Sequence, residues 1–354
     1  MNKGYFLDNY TNFLNCRIKA VYELLLFSGV KVSPHLLSLL FQDSNAYFSV
    51  INYKGIEIPV FSSLHPRGER NIIRNLQLQH EVRRFEDAKE ISELVKEGIP
   101  VLVSYDADAL SRRARNRNFG IISATVLWDY HDGYFISTRK DNSAFATYQE
   151  DMLSLAMKVE TQPIAANGEG IYILPGQTVG EKCEKDALIR AINENLCAIR
   201  EGAMVDTSRN LPECNCVEGA LAFTQMRQHL QKLSRTIITQ PASEVARRMF
   251  ILSTTIILKV LEKNGYGFQS FRHCFWLGYQ EFLDFTGRKA DELDKELETY
   301  ISKKWLYLME LLLSNREYSV DYNAIEYFFD TFNKGFSDIE KAEKQFFSNV
   351  KVMD

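Results

Sequence analysis

The stretch "FLNCRIKAVYELLLFSG", residues 13–29, places a cysteine where an amphipathic helix begins. Ile18, Val21, Leu24 and Leu25 fall on one face at helical spacing, and Gly29 stops the run. Asn15 is a good capping residue just ahead of Cys16. The first turn of a helix offers unpaired N–H groups and a partial positive charge, and both lower the pKa of a thiol held there. By position, Cys16 reads as a nucleophile. The competing reading is one more buried thiol, because free cysteine is among the most buried residue types.

Outward from this helix, the first half of the chain mixes helix and strand signals. "VSPHLLSLLF" predicts a second helix, with Ser33 as cap and Pro34 in the first position. "FEDAKEISELVKEG" predicts a helix closed by Gly98, and "IPVLVSYD" a buried strand. "GIISATVLWDYHDGYFISTRKD", residues 120–141, predicts a hairpin turning near Asp132 and Gly133, and "GEGIYIL" a further strand. From Glu181 onward nearly every segment has helical period, as in Val245, Met249, Leu252, Ile256 and Val260. The expected architecture is an α+β domain over residues 1–177 and an all-helical domain over 178–354.

Composition narrows the class. The chain has 354 residues, 45% of them apolar and 25% charged, as expected for a globular protein of about two domains. A net charge of −4 does not point to nucleic acid. The N-terminus carries no apolar segment of the secretory kind. "MFILSTTIIL", at 249–258, falls short of the ~20 residues that span a bilayer and reads as a buried helix. Six cysteines are too sparse for a disulfide scaffold, which points to reduced thiols in a cytoplasm. "CNC" at 214–216 lacks the second ligand pair of a zinc site, so no metal is expected. No P-loop or Rossmann glycine pattern is present.

The order of these segments resembles the butirosin biosynthesis protein H family. The N-terminal match is a Cys opening a helix, then "EGIPVLVSYDADAL", then a hairpin. In the second half, "CVEGALAFTQMRQHL" resembles the family's Gly-Leu-x-Ala-Leu helix, and "KKWLYLMELLLS" its Trp-bearing helix. "NGYGFQSFRHCFWLGYQEFLDF" resembles the Gly-rich turn between them, with Tyr279 and Phe282-Leu283 about one helical turn later than in the family. The resemblance covers roughly residues 10 to 315. It implies a papain-like, leader-peptidase-like N-terminal domain followed by a helical domain. It also implies an amide-forming acyltransferase of specialised-metabolite biosynthesis. Such an enzyme takes an acyl group from the phosphopantetheine thioester of an acyl or peptidyl carrier protein, with no cofactor of its own, and passes it through a cysteine to a small amine.

The site residues follow from the same resemblance. The papain-like base is expected at the start of the first hairpin strand, within Ile121, Ile122 and Ser123, and no histidine is there. His131 is left as the candidate base, yet it lies in the turn at the far end of that strand, roughly 30 Å away at 3.3 Å per residue. A solvated turn residue is the plainer reading of it. Asp141 takes the orienting role. Three outcomes stay open: His35, His65 or His80 folds into place; the amine supplies its own base; or the domain is catalytically inactive and binds a carrier protein or synthetase. Asp106 matches the acidic residue after the family's central strand, where it either holds a substrate amine or caps the next turn. Arg112, Arg113, Arg115 and Arg117 form a basic loop suited to an acidic carrier and its phosphate, or simply a solvated one.

Overall fold

The computed structural model describes residues 16–42, 46–53, 56–62, 68–110, 122–138, 145–158, 168–205, 216–261, 268–289, 292–314 and 318–350. In chain order the first elements are α1 (Cys16–Phe27), α2 (Pro34–Phe41), β1 (Tyr47–Tyr53), β2 (Ile56–Ser62), α3 (Gly68–Asn75), β3 (His80–Arg84), α4 (Ala88–Lys96) and β4 (Val101–Asp106). There follow α5 (Ala107–Leu110), β5 (Ile122–Leu127), β6 (Asp129–His131), β7 (Tyr134–Thr138), β8 (Phe145–Gln149), α6 (Glu150–Met157) and β9 (Glu169–Ile173). The remainder is α7 (Glu181–Glu201), β10 (Ala203–Val205), β11 (Cys216–Glu218), α8 (Ala220–Thr239), α9 (Glu244–Leu261), α10 (Phe268–Phe285), α11 (Glu292–Ser314) and α12 (Tyr322–Asn349).

The fold is mixed α+β, with sheet dominating the N-terminal part and helix the C-terminal part. The expected helices and strands of the first half form. Ser33 Oγ accepts from the His35 amide at 3.3 Å, which caps α2, and Asp87 caps α4 by accepting from the Lys89 amide.

Two compact units emerge, and each is discontinuous in sequence. One comprises residues 1–41, 67–188 and 209–212; the other comprises 42–66, 189–208 and 213–354. The division therefore does not follow a single cut at 177/178. The physical reason is strand pairing. β1 pairs with β11, Tyr47 opposite Glu218, so the early β1–β2 hairpin belongs with late sequence. The second half is accordingly not all-helical, because β10 and β11 complete a sheet of order β10-β11-β1-β2.

The first unit is built on an antiparallel sheet of order β3-β9-β4-β5, with a second sheet, β6-β7-β8, joined to it through the hairpin. The expected hairpin bends at Trp128, whose amide still donates to Ile136 O at 3.1 Å. Asp132 and Gly133, at φ 49° and 83°, make the predicted turn, which needs positive φ at both central positions. Alternation sends Val101, Val103 and Tyr105 to one face of β4. There they pack with Ile91 and Val95 of α4, Leu153 and Met157 of α6, Leu127 and Phe135. α1 runs along β5, and its last residue, Phe27, stacks on Trp128 with ring centroids 5.2 Å apart.

In the second unit α8 and α9 pack on the β1–β2 hairpin, and α11 and α12 complete the core. Phe61, Phe223, Trp305 and Phe336 meet there, and Trp305 Nε1 donates to the buried Glu343 at 2.8 Å. Gly219 sits at φ 61°, and a Cβ on it would lie 1.7 Å from the Ala198 carbonyl oxygen, so this close approach requires glycine. "MFILSTTIIL" lies within α9, and among the described residues no helix is long and apolar enough to cross a membrane.

Candidate functional site

Cys16 is the first described residue of α1 and is 8% exposed. The helix forms because Ile18, Val21, Leu24 and Leu25 bury completely along it. Asn15, its expected cap, lies outside the described residues.

The nearest chemistry comes from the β4–β5 ladder. Tyr105 pairs with Ser123, and Asp106 with Ile122. The Tyr105 hydroxyl lies 3.4 Å from that of Tyr148 on β8. Burial, and then Tyr148, push the Tyr105 hydroxyl far above its ordinary pKa; Ser123 acts in the opposite sense, and the Cys16 thiol adds to the rise. Tyr105 is therefore a neutral phenol within electrostatic reach of Cys16. The slot expected to hold the base opens β5 with Ile122 and Ser123, while Ile121 lies outside the described residues. Alternation puts Ser123 on the Tyr105 face and Ile122 on the Asp106 face. Asp106 is fully buried and its Oδ1 accepts from the Ala109 amide at 3.0 Å, so it caps the short α5 turn.

Two ion pairs on α1 were not read from the sequence. Arg17 makes a two-point pair with Glu69 of α3 and lies 5.2 Å over the Phe41 ring. Lys19 Nζ is 3.1 Å from Glu23 Oε1, and both side chains are buried. Burial pushes the Glu23 carboxyl above its ordinary pKa, and Lys19 pulls the other way. The available signal was the i, i+4 opposite-charge spacing in "CRIKAVYE".

The structure does not bring His131 to Cys16. It is exposed, beyond the end of β5 opposite to Ser123, with Nε2 3.1 Å from Asp129 Oδ2. His80 lies on β3, the sheet edge opposite to β5, with Nδ1 3.0 Å from Leu78 O. His35 opens α2. His65, Asp141, Arg112, Arg113, Arg115 and Arg117 lie outside the described residues. Among the described residues no group of three or more His, Cys, Asp and Glu is placed to hold a metal ion.

The arrangement is thus a buried thiol on α1, a neutral phenol and a serine hydroxyl across the adjacent ladder, and a buried Lys–Glu pair on the thiol's own helix. Compared with protein-family models and with curated proteins, the chain matches none.

Proposed function

We propose that this chain is a cytoplasmic acyltransferase with a papain-like first domain, in which Cys16 accepts an acyl group from a carrier-protein thioester and yields it to a small amine. The observation that carries the reading is the Cys16 thiol, buried on a helix that runs along β5 and within electrostatic reach of the Tyr105 phenol. The Cys16 thiolate attacks the thioester carbonyl. The bond from that carbonyl to the phosphopantetheine sulfur breaks, and the arm leaves as a thiolate that takes up the proton Cys16 gave up. The amine then attacks the Cys16 thioester, a C–N bond forms, the thiolate of Cys16 departs and the amine's proton is released.

A thioester suits the residues found beside Cys16 better than a peptide does. A thiolate leaves unaided, whereas an amide nitrogen must be protonated to depart. Arg112, Arg113 and Arg115 remain the proposed contact for the carrier's phosphate, and Asp106 a proposed contact for the amine.

A second reading is a catalytically inactive member that binds a carrier protein or synthetase, favoured by Ile122 and Ser123 at the start of β5, where the base is expected. Intact mass after incubation with a panel of acylated carrier proteins separates the two. A mass increase that is absent from Cys16→Ser supports transfer. Carrier binding with no adduct across the panel rejects transfer and supports the binding role.

A further inference from the structure

His229 belongs to α8, and its ring packs against Phe48 of β1 with the two centroids 6.1 Å apart. The residue is 9% exposed, and among the described residues its Nε2 has no hydrogen-bond partner. A neutral imidazole suits that place as an aromatic filler. An imidazolium does not, because its charge and its second N–H then need an acceptor or water. Phe48 is also where the β1–β2 hairpin joins the rest of its sheet. It pairs with Phe61 of β2 on one side and with Val217 of β11 on the other, and β1 meets β11 at Tyr47 and Phe48. Whatever displaces Phe48 therefore loosens that junction.

We propose that His229 is a proton-operated latch: neutral, it holds α8 against β1; protonated, it parts the two and loosens the β1–β11 junction. The latch does not depend on any chemistry at Cys16.

The charges that act on the ring come from β2 and from α8 itself. Lys232, one turn further along α8, lies 2.6 Å from Glu57 Oε2 of β2, and both side chains are exposed. Burial holds the ring below its ordinary 6.5 and outweighs both charges, of which Glu57 favours the proton and Lys232 opposes it. The ionisable groups on the other elements packed against α8 have partners of their own. Arg227 of α8 pairs with Glu340 of α12, as does Lys344, and Glu343 accepts from Trp305. On α9, Arg247 and Arg248 pair with Glu244. The Tyr47 hydroxyl of β1 donates to Gln42 O, and Glu218 of β11 lies opposite Tyr47 and Ala203 in the ladder. A histidine that takes a proton more readily when exposed favours opening as pH falls from 6.5 through its folded value.

The test is hydrogen exchange of the full-length chain at pH 7 and pH 5, read by mass on peptides and corrected for the intrinsic pH dependence of exchange. Protection of peptides spanning β1 and β11 is expected to fall on the order of tenfold from pH 7 to pH 5, while those spanning β4 and β9 keep theirs. In His229→Gln and His229→Leu the fall should vanish. A fall that persists in either variant, is absent from the parent chain, or is as large in β4 and β9 overturns the proposal. Should neither variant fold, two exposed positions decide. Glu57→Gln removes the charge that favours the proton and should deepen the fall; Lys232→Gln removes the one that opposes it and should make the fall shallower. Loss of the ion pair by itself would move both variants the same way, so any pattern other than these opposite shifts overturns the latch.

Discussion

Lys19 and Glu23 show what helical periodicity misses at single residues. The apolar positions of α1 define one face, which leaves residues 19 and 23 to be assigned to solvent, yet α1 is covered on more than that face. Breaking such a pair from one side leaves a buried charge without compensation. Lys19→Met is therefore expected to lose about 3–5 kcal/mol of stability, while adding Glu23→Leu recovers most of it. Urea unfolding of the single and double variants checks this, and equal stability of the two would show that the charges are not coupled. His229 of α8 is a second case. It is buried against Phe48, and its Nε2 has no hydrogen-bond partner among the described residues. Burial holds its pKa below the ordinary 6.5, with Glu57 pulling it up and Lys232 down. A histidine depressed in the folded state contributes stability that is complete above pH 6.5 and is lost as pH falls through its folded value. His229→Leu should then lose less stability between pH 7 and pH 5 than the parent chain does, measured by urea unfolding at both.

Elements with a strong local signal were legible, and elements specified by distant partners were not. α1, α2, α4, β4 and β9 follow from periodicity, caps and β-branched runs, and the Asp132-Gly133 turn from its dipeptide. The β1–β2 hairpin went unread although "YFSVINY" and "IEIPVFS" are rich in aromatic and β-branched residues, since half of its pairing waits on β11. The bend at Trp128, which divides the expected hairpin strand into β5 and β6, is a tertiary feature with no dipeptide signature. Cys16 was legible as a residue of a buried helix, and Asp106 as either a ligand or a cap; Tyr105 was not, because only the ladder brings it within reach of the thiol. Two glycines give an element-level test. A Cβ at Gly133 meets open space, so Gly133→Ala costs only the left-handed backbone, about 1–2 kcal/mol, and leaves Cys16 alkylation unchanged. Gly219→Ala adds a clash with the Ala198 carbonyl to a comparable backbone cost of about 1–3 kcal/mol, so its loss of stability should be clearly the larger in parallel urea titrations.

At the scale of the whole molecule, the contiguous division expected from the change to helical period near residue 178 does not describe how the chain packs. A fragment of residues 178–354 lacks β1 and β2, half the strands of its own sheet, and leaves β11 with β10 alone as partner. It should show no cooperative urea transition, whereas the full-length chain should; a sharp transition in the fragment would mean that the helices form a core without the hairpin. The same pairing also bears on biosynthesis. The β1 segment leaves the ribosome about 170 residues before Val217, the partner of Phe48, an interval on the order of 10–30 s at ordinary elongation rates. Throughout that wait one edge of an apolar hairpin is open, and nascent chains in that condition are the ones that holdase chaperones capture or that aggregate when none is at hand. Yield on overexpression should therefore depend on translation speed and chaperone supply more than the stability of the finished protein would suggest.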